Sequence, residues 1–101
     1  MTTSTDLATA TGVTFRGHHL YVALSDGRTI AVPLAWYPRL AEATTRERRD
    51  WQLIGPGLGI HFPRIDEDIS VDALLRGGAS QESPTSLRRW RRGRKLRRDA
   101  G

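Results

Sequence analysis

One hundred and one residues without a cysteine are enough for one small domain, with neither disulfides nor thiolate metal sites to hold it. No apolar run approaches the roughly 18 residues of a membrane span. The start, Met1-Thr2-Thr3-Ser4-Thr5-Asp6, lacks the basic and apolar segments of a signal peptide, so a cytoplasmic protein is expected. The net charge of +5 conceals a division: residues 1–82 carry eight arginines against ten acids, net −2, and residues 83–101 carry seven arginines and one lysine against Asp99, net +7.

Residues 1–12 are rich in Thr and Ala, with Leu7 the one large apolar side chain, and are expected to be a flexible N-terminus. Apolar alternation then begins. Val13 and Phe15, then Leu20, Val22 and Leu24, then Ile30 and Val32 predict three strands. A two-residue Gly17-His18 turn pairs Phe15 with Leu20 and Val13 with Val22, all on one face. A two-residue Asp26-Gly27 turn would put Ile30 on the wrong face. The three-residue loop Ser25-Asp26-Gly27 pairs Val22 with Ile30 and Leu20 with Val32. Pro33 cannot donate to a ladder and ends the third strand.

Trp36, Leu40 and Ala43 recur at helical spacing, and Pro38 suits a first helical turn. Thr44 with Glu47 has the form of a capping box. Two short helices, 38–43 and 45–50, are therefore expected to cross the sheet. Residues 51–54 and 58–62 form two short strands or an irregular hairpin around Gly55-Pro56-Gly57. The acidic Asp66-Glu67-Asp68 is expected to be a loop. Ser70 then caps a helix that Gly77-Gly78 stops. Residues 79–86 make a polar linker, and Leu87 and Trp90 open a last helix in which Gly93 favours fraying.

Asp26-Gly27-Arg28, the run from Pro33 to Leu40, Trp51, Gly59-Ile60-His61-Phe62-Pro63 and Asp66-Glu67-Asp68-Ile69-Ser70-Val71 with Leu74-Leu75 resemble a bacterial family known as domain of unknown function 2442, DUF2442. The resemblance spans residues 13–90. It implies a fold and no established activity. Some members resemble partners of small toxin-like proteins encoded beside them, which implies an antitoxin-like role with a protein partner from a neighbouring gene. Members often carry tryptophan where Phe62 stands, and the arginine run after Trp90 exceeds the family pattern.

No residue set reaches a catalytic, cofactor or metal site. His18 and His19 are neighbours in a hairpin and point in different directions. His61 near Asp66, Glu67 and Asp68 offers nitrogen and oxygen ligands or an acid and base pair, but the acids are expected to pair with Arg28, Arg39 or Arg64. Gly55, Gly57 and Gly59 lack the spacing of a dinucleotide loop and the lysine of a nucleotide loop. Arg39, between Pro38 and Leu40, must be held by a carboxylate or offered to a partner, and with Trp36 and Tyr37 is the expected partner contact. Arg88, Arg89, Arg91, Arg92, Arg94, Lys95, Arg97 and Arg98 put eight cations in eleven residues and are the expected nucleic-acid contacts.

The expectation is one α+β domain over 13–78, a small antiparallel sheet of three to five strands packed by short helices, followed by a linker and Arg-rich tail over 79–101. Its expected function is that of a non-enzymatic binding module: a protein partner for the domain and nonspecific DNA or RNA for the tail. The alternatives are a structural or protein-interaction domain without a nucleic-acid role and, more distantly, a metal-dependent enzyme built on His61 and Asp66.

Overall fold

A computed structural model describes residues 8–100, with side chains as far as Leu96. Strands β1 (Ala10–Arg16), β2 (His19–Leu24) and β3 (Thr29–Pro33) form an antiparallel meander in the order β1-β2-β3. Its register is the one parity demands: Phe15 lies opposite Leu20, Val13 opposite Val22, Val22 opposite Ile30 and Leu20 opposite Val32. Leu20, Val22 and Leu24 are buried while Tyr21 and Ala23 face outward. Gly17 and Gly27 adopt φ of +58° and +96°, which the two turns require. Ala10–Gly12 belong to β1, not to a loose end: Ala10 is buried, and its N–H donates to the Gly57 carbonyl at 2.7 Å. The part of the expected flexible segment before residue 8 lies outside the described residues.

The second half of the chain makes a second sheet where one or two added strands were expected. Strands β4 (Gln52–Ile54), β5 (Gly59–Phe62) and β6 (Glu67–Ser70) pair in that order, antiparallel throughout. β6 replaces the expected acidic loop. Ile69 faces Ile60 across the pair and both are buried, so one apolar residue anchors a strand whose other side chains are polar. Asp66, with φ of +52°, makes the turn into it. The two sheets meet at Gly57. A Cβ there would lie 2.4 Å from the Ala10 carbonyl oxygen, and the backbone has φ of +105°, so only glycine permits the approach.

Both sheets contribute to one core. Leu20, Val22, Ile60, Phe62, Ile65 and Ile69 are fully buried together with Leu40 of α1 (Pro38–Ala41), and Phe15 meets Phe62 edge to face at 6.2 Å. A 3-10 turn, Leu34–Trp36, leads into α1, which ends two residues earlier than its periodicity predicts. Arg48 of α2 (Thr45–Arg49) donates to the Leu40 and Ala41 carbonyls at the C-terminal end of α1. The capping box of α2 is complete: Thr44 Oγ1 accepts from the Glu47 N–H, and the Glu47 carboxylate accepts from the Thr44 N–H. Ser70 caps α3 (Val71–Arg76), and Gly77 ends it at φ of +77°.

The last helix, α4, runs over Pro84–Ala100, longer than predicted and continuous through Gly93. Ser83 opens it, its Oγ accepting from the Ser86 N–H. No helix among the described residues is long and apolar enough to cross a membrane.

Candidate functional site

The segment expected as a linker is bound to the body. The Ser80 N–H donates to the Trp36 carbonyl and the Tyr37 hydroxyl to the Gly78 carbonyl. The Arg39 guanidinium then forks onto Glu82, through Nε at 2.9 Å and Nη2 at 2.6 Å, while Nη1 donates to the carbonyls of Ile65 and Asp66. Glu82 also accepts from the Ser86 hydroxyl at 2.8 Å, which ties the pair to the first turn of α4. Arginine is suited to this position because its planar donors match a carboxylate while others remain for backbone oxygens. Arg39 holds the Glu82 carboxyl below its usual pKa, and Glu82 raises that of Arg39.

Two more arginines complete the attachment. Arg91 forks onto Glu42, with Nε 2.8 Å from Oε1, and Arg94 Nη1 meets Glu47 at 2.7 Å. Arg94 also donates to the Glu42 carbonyl. The Trp90 ring packs against the core between these pairs, with the guanidinium carbons of Arg39 and Arg94 at 5.2 Å and 4.6 Å from its centre. Glu47 therefore serves twice, in the cap of α2 and as the partner of Arg94.

Seen down its axis, α4 has two faces. Leu87, Trp90 and Arg94 share the face turned to the body and are partly buried. Arg88, Arg92 and Lys95, at spacings of four and three, share the opposite face and are exposed, with Arg89 beside them. Among the described residues, none of these four has a carboxylate within 4 Å; Arg88 reaches only the Thr85 hydroxyl, at 3.4 Å. Of the eight cations expected to contact nucleic acid, Arg91 and Arg94 are thus paired with carboxylates of the body, Glu42 just after α1 and Glu47 in α2; Arg94 is partly buried and Arg91 stays exposed. The side chains of Arg97 and Arg98 lie outside those described.

The expected partner contacts are likewise drawn inward. Arg39 is held by a carboxylate, the first of the two fates its position allowed, and Tyr37 is buried. Trp36 is half-buried against the core. His61 Nδ1 lies 2.5 Å from Asp68 Oδ1 across β5 and β6, at the surface. No third carboxylate or histidine joins them in a metal-binding group among the described residues. The acids do not pair as expected: Arg28 meets Asp26, Arg64 meets Asp50, and Asp68 meets His61. Glu67 is half-buried beside Tyr37, and burial, with the Glu82 charge second, pushes its carboxyl up to about 7. No spacing in the sequence signalled Glu42, Glu47 and Glu82, which lie 43 to 49 residues from their arginines.

Two linked three-stranded sheets with short helices define a small α+β domain. Residues 10–80 match the family model described as protein of unknown function (DUF2442), and the chain belongs to that family. The match ends before α4 begins. No curated protein matches. A protein of unknown function from Rhodospirillum rubrum shares the fold at 23% identity and a TM-score of 0.66, over 76% of this chain and 95% of that one. An uncharacterised protein from Chromobacterium violaceum is similar at 26% identity and a TM-score of 0.61, over 72% of this chain and 69% of that one.

Proposed function

We propose that the protein is a non-enzymatic binding module that attaches to nucleic acid through the outward face of α4, without base specificity, and works in the cytoplasm. One observation carries the proposal: Arg88, Arg92 and Lys95 are aligned and exposed, with Arg89 beside them, and among the described residues none has a carboxylate within 4 Å, whereas Arg91 and Arg94 do. Like charges at these spacings destabilise a helix by a few tenths of a kcal/mol per pair, and docking through Trp90 offsets that cost. The aligned charge suits a polyanion, whose counterions are released on contact. A binding role, in preference to a chemical one, is supported by His61 being paired at the surface apart from Asp66.

The body would engage a protein partner from a neighbouring gene, in the antitoxin-like manner that the family resemblance implies. Co-purification with that gene product supports this part, and a chain that isolates alone under the same conditions counts against it.

For the helix, the test is binding of labelled nucleic acid by the intact chain as salt is raised. Four phosphate contacts predict a loss of about 100-fold in affinity between 50 and 200 mM salt. Absence of binding at 50 mM would leave a structural or protein-interaction domain. Charge substitutions are preferable to truncation at Ser83, which would uncover the core beneath Trp90.

A further inference from the structure

The position of Trp90 bears on which form of nucleic acid fits, and we infer that α4 binds the phosphate backbones of a duplex in preference to a single strand; this rests on the nucleic-acid attachment proposed above. Single-strand binding draws on aromatic rings that bases can stack upon. Trp90 is the only aromatic residue of α4, and it packs against the core with Arg39 and Arg94 over its ring. The outward face therefore offers charge and no stacking surface.

Geometry points the same way. Arg88, Arg92 and Lys95 are fixed on a helix held to the body at Glu42, Glu47 and Glu82, and they span about 10 Å along its axis. A duplex presents a phosphate charge every ~1.7 Å of axis against ~3.4 Å for one strand, so a short rigid row of cations meets more charge on the duplex. The face also lacks the apolar side chains that would seat it in a lipid surface: Leu96, 63% exposed, is the only large one there.

The experiment titrates the full chain against a labelled 20-base-pair duplex, a single strand of the same length and vesicles containing phosphatidylserine, all at ~50 mM salt. With four phosphate contacts, the steeper counterion release of a duplex predicts about ten-fold tighter binding than to the single strand. The variant Arg88→Ala/Arg92→Ala/Lys95→Ala, altered only at exposed positions, should fold normally by circular dichroism and lose that preference. Equal or tighter binding of the single strand would overturn the duplex inference and leave nucleic-acid attachment standing. Binding to vesicles but to neither nucleic acid, or to nothing, would overturn both.

Discussion

Arg39 and Glu82 meet across 43 residues of chain in a forked ion pair that leaves only 14% and 11% of their side chains exposed. The pair joins the family-matched body to the segment after it, and it sits where Trp90 docks. Arg39→Ala leaves the Glu82 charge half-satisfied in a shielded place and should destabilise the fold by about 2–3 kcal/mol, somewhat below a fully buried pair. Melting followed by circular dichroism should fall by at least about 8 °C. Arg39→Lys should not restore it, because an ammonium cannot fork onto Glu82 and also reach the carbonyls of Ile65 and Asp66.

The carboxyl of this pair and a second one beside it give opposite pH dependence. Glu82, lowered in the folded state by Arg39, contributes stability that is present above its unfolded value near 4.5 and lost as pH falls through its folded value. Glu67, raised to about 7 by burial, holds its proton more tightly folded than unfolded; its contribution is present below about 4.5 and is lost as pH rises to about 7. Denaturation midpoints at pH 5 and pH 8 should differ more for the intact chain than for Glu67→Gln. An unchanged difference would remove Glu67 as its source.

The approach of the two sheets makes a sharper demand on Gly57 than on Gly55. Gly57→Ala places a methyl group against the Ala10 carbonyl and strains a φ of +105°, with an expected cost of about 2–3 kcal/mol. Gly55 has φ of +56° and open space around it, so Gly55→Ala should cost about 1 kcal/mol. Urea denaturation of the two variants checks the order.

Much of the first sheet was legible in the sequence because side-chain parity leaves one register that keeps Leu20, Val22, Ile30 and Val32 on a common face. β6 was not legible. Glu67-Asp68-Ile69-Ser70 has no alternation of large apolar residues, and it is a strand because β5 offers it a ladder. The continuity of α4 was hidden for a related reason: Gly93 and the repulsion of closely spaced like charges speak against a helix, and its docking side chains depend on carboxylates that only folding brings near. The candidate face was therefore legible as charge and not as geometry. Which cations point outward is decided by Glu42 and Glu47.

That division can be altered. In Glu42→Gln/Glu47→Gln the charges that hold Arg91 and Arg94 are removed, while glutamine at position 47 can still complete the capping box. Two cations released toward a polyanion should steepen the slope of log affinity against log salt by about 1.8. An unchanged slope would show that Arg91 and Arg94 already contact phosphate in the intact chain.

The most direct measurement of the two-faced helix is that same slope for duplex binding, compared between the intact chain and Arg88→Ala/Arg92→Ala/Lys95→Ala. If the outward row meets the phosphates, the variant's slope is shallower by about 2.7, with its melting temperature no lower. Equal slopes for the two proteins would place the contacts elsewhere and contradict the assignment of this face.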